Sequence, residues 1–158
     1  MAHKVLKAIT VKGNKMPAYG VKFIAWKKVY RDERYIDEFG SHSKRQAYIL
    51  KLEVPAQARR VQPHYHHNKK DLYEKCRVSR AKVLAAYKVT YGPSSYRNEV
   101  DEKEVNPNRR HTFYSGYNHN FKYRLGEKIT PDSFDNKASN HCGHGIHVYL
   151  NKRNAANH

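Results

Sequence analysis

The segment Ala47-Tyr48-Ile49-Leu50-Lys51-Leu52-Glu53-Val54-Pro55 alternates with a period of two. Tyr48, Leu50, Leu52 and Val54 fall on one side of an extended chain, and Lys51 and Glu53 on the other. A helix would scatter those apolar residues around its circumference, whereas a half-buried strand gathers them on one face. Pro55 ends the segment because proline has no N–H to give to a ladder. Val21-Lys22-Phe23-Ile24-Ala25-Trp26-Lys27-Lys28-Val29-Tyr30 is equally rich in β-branched and aromatic residues and predicts a second strand. The same period returns at Tyr87, Val89 and Tyr91, at Phe121, Tyr123 and Leu125, and at Ile146, Val148 and Leu150. Through Ser79–Tyr87 the spacing also fits a helix of about two turns. Asn151 is placed to cap a short C-terminal helix.

Between these segments, 55–75, 92–119 and 131–145 are rich in Pro, Asn, Ser, His and Gly; connections this long inside one domain are usually functional or partly disordered. The chain has 158 residues, 39% of them hydrophobic, enough for one modest core. The expected fold is therefore α+β and β-rich. It is a single compact domain over 21–158, built on a twisted antiparallel sheet or partly open barrel with short helices and long polar loops. A basic segment, 1–20, precedes it.

Charge narrows the function. Lys and Arg number 31 against 14 Asp and Glu, a formal net charge of +17, and residues 1–28 hold seven Lys and no acid. A polyphosphate is the polymer that best matches such a surface. No stretch approaches the roughly 20 apolar residues of a membrane span, and the first residues lack a secretory apolar core. With only Cys76 and Cys142, a soluble protein of a reducing compartment with no membrane partner is expected.

Basic and aromatic residues interleave in three clusters: Trp26 to Arg31, Arg59 to Lys70, and Asn108 to Tyr114. Cations neutralise phosphates and release counterions, while exposed rings stack on unpaired bases at roughly 1–3 kcal/mol per base. A-form duplexes hide their base edges, so aromatic readers act mainly on loops and single strands. The candidate nucleic-acid-binding residues are Trp26, Lys27, Lys28, Arg31, Arg59, Arg60, Lys69, Lys70, Arg109, Arg110 and Tyr114.

His141-Cys142-Gly143-His144-Gly145-Ile146-His147 offers other chemistry. Thiolate and imidazole are zinc ligands, which makes Cys142, His144 and His147 metal candidates, although their spacing matches no paired zinc signature. Cys142 with His144 or His147 could also act as a nucleophile and base, but no orienting acid is nearby. Asp132 and Asp135 sit in a Thr-Pro-Asp-Ser-Phe-Asp turn, where Asp commonly accepts from backbone donors. There is no phosphate-binding Gly-rich loop and no GxSxG elbow. No cofactor is therefore expected, zinc being the one alternative.

Five segments in order carry a family resemblance: Phe23-Ile24-Ala25-Trp26-Lys27-Lys28, Leu50-Lys51-Leu52-Glu53-Val54-Pro55-Ala56, Cys76-Arg77-Val78-Ser79-Arg80-Ala81-Lys82-Val83-Leu84, Tyr123-Arg124-Leu125-Gly126-Glu127-Lys128-Ile129-Thr130-Pro131-Asp132-Ser133-Phe134-Asp135, and Cys142-Gly143-His144-Gly145-Ile146-His147-Val148-Tyr149-Leu150. Over roughly residues 21–156 the chain resembles a domain of unknown function found in large DNA viruses and phages, where it often accompanies pentapeptide repeats. The resemblance implies a viral origin and a shared fold, with Cys142, Gly145 and His147 in the common pattern; it implies no activity.

These observations together lead to an expected function: a non-enzymatic phage or viral protein of the infected host's cytoplasm that binds nucleic acid, RNA or single strands above all, with little sequence specificity. The alternatives are a binder or processing enzyme for a small phosphorylated nucleotide, and a viral structural protein that engages a viral or host protein partner.

Overall fold

The computed structural model describes residues 7–63, 75–91, 98–109, 111–116, 121–139 and 143–157. Its centre is a long antiparallel hairpin. Strands β2 (Phe23–Asp37) and β3 (Gly40–Val54) pair without a break from Phe23↔Val54 to Asp37↔Gly40. The ladder thus runs well past the two segments legible as strands, through the polar stretch 31–46. Opposite charges face one another there, Asp32 against Arg45 and Glu33 against Lys44, and such cross-strand pairs favour the extended register.

On the β3 side the sheet continues through β6 (Ala81–Tyr91), which carries β7 (Asn98–Glu104) and the short β10 (Lys128–Ile129). Of the two readings of Ser79–Tyr87 the strand is the one adopted, since Ala81, Val83 and Ala86 join Leu50 and Leu52 in one buried layer. On the β2 side come β11 (Ile146–Tyr149), β5 (Lys75–Val78) and β4 (Arg60–Val61), with β8 (Thr112–Tyr114) and β9 (Lys122–Arg124) as a separate ribbon; β1 (Ile9–Thr10) lies parallel to the start of β2. The main order is β10-β6-β3-β2-β11-β5-β4.

Only Ser79 and Arg80 join β5 to β6, although β3, β2 and β11 stand between them in the sheet. The three steps from Val78 to Ala81 span at most about 11 Å, so the open sheet curls until its flanks approach each other. Its concave face encloses Phe23, Ala25, Val29, Cys76, Val78, Ile146, Val148 and Phe113, all at or near zero exposure. Each large apolar side chain buried there contributes roughly 1.5–3 kcal/mol.

On the convex face Ile49 and Val89 pack against Ala155 and Ala156 of α1 (Lys152–Asn157). Asn151 Oδ1 accepts from the N–H of Arg153 (2.8 Å) and of Asn154 (3.3 Å), the expected cap. Among the described residues α1 is the one α-helix, so the β-rich expectation holds and its α component reduces to this single turn and a half. Part of the basic N-terminal segment is built into the body, through β1 and through the Met16 N–H donated to Gln62 Oε1 at 3.0 Å.

Candidate functional site

The outer edge of β2 is covered by β1 at Phe23 and Ile24, by β11 at Trp26↔Tyr149 and by β8 at Tyr30↔Tyr114. Between those points, along Lys27–Val29, no strand among the described residues pairs with that edge, and the divergence of β11 from β8 opens a cleft of about 720 Å³. The hairpin supplies Lys27, Lys28, Tyr30 and Arg45 to its walls. β5 supplies Lys75, β11 supplies His147 and Tyr149, the β9 region supplies Phe121 and Tyr123, and the segment after β10 supplies Asp132 and His144. Four basic side chains thus face one carboxylate among the described residues, with aromatic rings between them. Among the described residues two groups of acids lie outside the cleft lining, Asp32, Glu33, Asp37 and Glu38 on the hairpin and Glu99, Asp101, Glu102 and Glu104 on β7.

Crowding of cations at low hydration shows in their proton affinities. Burial, reinforced by the charge of Lys75, pushes the Lys27 ammonium down to about 8, and its Nζ donates to the His147 carbonyl at 2.9 Å beside the Tyr123 ring. Burial and the neighbouring Arg45 also lower Lys28. His147 is pushed down to about 4, chiefly by burial, so it is neutral at pH 7 and donates Nε2–H to the Gly143 carbonyl at 2.8 Å.

A ladder of cations and rings leaves the cleft at its rim. The Arg45 guanidinium lies 3.6 Å from the Tyr30 ring centroid, Tyr30 lies 6.3 Å from Tyr114, and Lys122 sits 5.6 Å from Tyr114 on the next strand. Gly116 permits this packing. A Cβ there would stand 2.9 Å from Tyr30 Cε2 and 3.2 Å from Arg45 Nη2.

The opposite wall is held by a residue that sequence reasoning left out of the site. Arg77, wholly buried, donates to the carbonyls of Asp135 and Lys137, and so ties the segment after β10 to β5. Gly143 and Gly145 close over it. A Cβ on Gly143 would lie 2.8 Å from Asp135 Cβ and 2.9 Å from Arg77 Cζ, and Gly145 has φ +145 with Phe134 against it.

The eleven residues expected to bind nucleic acid do not converge. Lys27 and Lys28 line the cleft, and Tyr114 stands on the rim ladder, donating its hydroxyl to Asp32 at 2.7 Å. Trp26 points to the convex face, half-buried beside Tyr87 and Lys152. Arg31 is engaged in the fold: it donates to Glu33 (2.8 Å) and Tyr48 (3.1 Å) and contacts His111 Nδ1, while Tyr48 also bonds Glu33. Arg60 donates to the carbonyls of Ala58, Ala18, Val21, Pro55 and Ala56, stapling β4 to two loops. Arg59 is exposed, its guanidinium 5.1 Å from the Phe134 ring, and Arg109 is exposed on a turn. Lys69, Lys70 and Arg110 lie outside the described residues, as does Cys142.

That leaves the Cys-His motif with His144, exposed at the cleft, and His147, whose Nε2 is engaged with Gly143. Among the described residues no three His, Cys, Asp or Glu side chains group as metal ligands. Asp135 Oδ1 accepts from the Lys137 N–H at 2.9 Å, the turn role expected of it. The cleft residues that the sequence did not single out are Tyr30, Arg45, Lys75, Tyr123 and Tyr149. Their one local signal is Arg45, which mirrors Asp32 across the hairpin.

Comparison with protein families matches residues 14–155 to a family described as a family of unknown function (DUF5758). No curated protein and no solved structure matches the chain.

Proposed function

The chain belongs to this family of unknown function, and from its own side chains we propose that it binds a phosphorylated nucleotide in the basic, ring-lined cleft. The observation that carries the reading is the convergence of Lys27, Lys28, Arg45 and Lys75 with Tyr30, Tyr123 and Tyr149 around one cavity. The cations recognise phosphate, and the rings offer faces to a base. A volume near 720 Å³ is in the range of small-ligand sites. A phosphate also relieves the mutual repulsion of the cations, so binding and charge relaxation act together.

A second reading, single-stranded nucleic acid, is favoured by the rim ladder Arg45–Tyr30–Tyr114–Lys122, along which a strand entering the cleft could continue. In both readings the protein is a binder and not a catalyst. The viral setting implied by the motif resemblance would place it in the infected cell, acting on nucleotides or RNA there.

Titration calorimetry with a nucleoside 5′-monophosphate, a dinucleotide and a mixed-sequence single-stranded oligonucleotide tests both. Saturable binding of the short probes, weakened at least tenfold by Lys28→Ala or Arg45→Ala, is expected. Equal affinity for inorganic phosphate and every nucleotide would remove the role given to the rings. Affinity that rises steeply with oligonucleotide length would transfer the reading to the polymer. If none of the probes binds, the proposal fails.

A further inference from the structure

Lys27 occupies a position that an ordinary phosphate-binding lysine does not need. It stands on the concave face of β2 between Ala25 and Val29, both wholly buried, and its stem reaches the cleft floor, where Nζ donates to the His147 carbonyl at 2.9 Å. Among the described residues no carboxylate pairs with it. The charge of Lys75 on β5 acts on it, and Lys28 and Arg45 of the hairpin share the cavity. From β11 it faces His147, which is neutral at pH 7, and from β9 the Tyr123 ring; His144 and the one carboxylate, Asp132, are exposed on the opposite wall.

We propose that Lys27 is a covalent anchor whose amine condenses with the aldehyde of a phosphorylated sugar held in the cleft. The environment is the one that activates a lysine: desolvation and a second cation disfavour the ammonium, and an open cavity admits the carbonyl. The ammonium first gives a proton to solvent. The free amine then attacks the carbonyl carbon, its N–H proton passes to the carbonyl oxygen through water, and a carbinolamine results. Protonation of its hydroxyl from solvent lets water leave and gives an iminium, which hydrolysis returns to amine, aldehyde and the borrowed proton, with no oxidant or reductant involved. Lys28, Arg45 and Lys75 hold the phosphate. The inference goes beyond nucleotide binding and rests on it only in using the same phosphate-binding cations.

An aldehyde on a phosphorylated sugar can come from an abasic position in a single strand or from a free sugar phosphate. The full-length protein is therefore incubated with an oligonucleotide bearing one abasic site, with ribose 5-phosphate, and with unphosphorylated glyceraldehyde, each with sodium cyanoborohydride, and the reduced adducts are located by peptide mass mapping. The expected result is at least tenfold enrichment of the adduct at Lys27 over any other lysine, for one or both phosphorylated probes, with a rate that rises with pH and levels off above about 8. The probe that reacts identifies the source. Lys27→Arg should abolish the enriched adduct and Lys103→Arg, on exposed β7, should leave it unchanged; Lys27→Met with a melting curve shows whether the site survives without the amine.

Adducts spread over the lysines in proportion to exposure would overturn the inference. So would the absence of adduct in a protein that still binds a nucleoside monophosphate, which leaves the nucleotide reading standing. Equal labelling of Lys27 by glyceraldehyde would overturn the phosphate requirement. Failure of both adduct formation and nucleotide binding would remove both proposals.

Discussion

The guanidinium of Arg77 donates two hydrogen bonds, from Nε at 3.0 Å and from Nη2 at 2.9 Å, to a single backbone oxygen, that of Asp135. Nη2 also reaches the Lys137 carbonyl at 2.9 Å. A charged fork buried on the face of β5 opposite Cys76 and Val78 thus replaces the strand pairing that the segment after β10 lacks. Arg77→Lys keeps the charge but not the fork, and leaves carbonyls without donors. It should cost about 3 kcal/mol, which for a domain of this size lowers the thermal midpoint by on the order of 10 °C. Nucleotide affinity should fall with it, because the same segment walls the cleft. A melting curve unchanged within 2 °C (about 0.5–1 kcal/mol) would show that the anchor is dispensable.

The two tight glycines should separate stability from binding. Alanine at Gly116 meets side-chain atoms and no backbone, the edge of the half-buried Tyr30 ring and the tip of the exposed Arg45. Gly116→Ala should therefore change stability by less than about 1 kcal/mol and weaken nucleotide binding, since the rim ladder must open. Alanine at Gly143 meets Asp135 Cβ and the pinned Arg77 Cζ. Gly143→Ala should cost about 1–3 kcal/mol. Paired melting and titration experiments check the contrast, and the same ratio of effects in both variants would contradict it.

Acid should destabilise the fold partly through His147. Its folded value of about 4 lies below the ordinary 6.5, so between those pH values the unfolded chain binds the extra proton. Stability from this group is complete above about pH 6.5, declines as pH falls toward 4, and changes no further below that. The loss amounts to at most about 3 kcal/mol. His147→Gln removes the titration and retains an N–H able to face Gly143. Denaturant unfolding of the variant should show a flatter dependence between pH 4 and 6.5 than the parent, and parallel curves would place the acid sensitivity elsewhere.

How much of this was legible in sequence depended on how local the cause is. Alternation at Tyr48, Leu50, Leu52 and Val54 reflects burial of one strand face and is readable without the rest of the molecule. The distal hairpin was hidden because Arg31–Gln46 is polar on both faces; the signal there is the mirrored order of acids and bases, which acquires meaning only once the turn at Glu38-Phe39 is known. Arg77 sits between Cys76 and Val78, so alternation puts it on the strand face opposite theirs, and that face is covered by residues 58–60 positions away in the chain. The cleft is less local still. Lys27, Arg45, Lys75, Tyr123 and His147 are brought together by the divergence of β11 from β8, and no pattern within any one segment records that divergence. Arginine pairs were conspicuous in sequence, but Arg60 shows that an exposed-looking guanidinium can be fully occupied by carbonyls of its own fold.

That difference between Arg60 and Arg45 gives the sharpest test of where the anion goes. Arg60 is bonded to five carbonyls of the loops beside β4, so Arg60→Ala leaves those oxygens without their donor and should lower stability by about 2–3 kcal/mol, while nucleotide affinity at a temperature well below the transition stays within twofold of the parent. Arg45 is exposed and stacked on Tyr30 at the cleft mouth, with no ion pair among the described residues, so Arg45→Ala should leave the melting curve nearly unchanged and weaken binding about tenfold or more. Salt separates them again. Loss of one phosphate contact should lower the slope of log affinity against log salt for a single-stranded oligonucleotide by about 0.7 in the Arg45 variant and leave it unaltered in the Arg60 variant. If instead both variants lost affinity and slope alike, the anion would be held by the basic surface as a whole and the cleft would have no special claim on it.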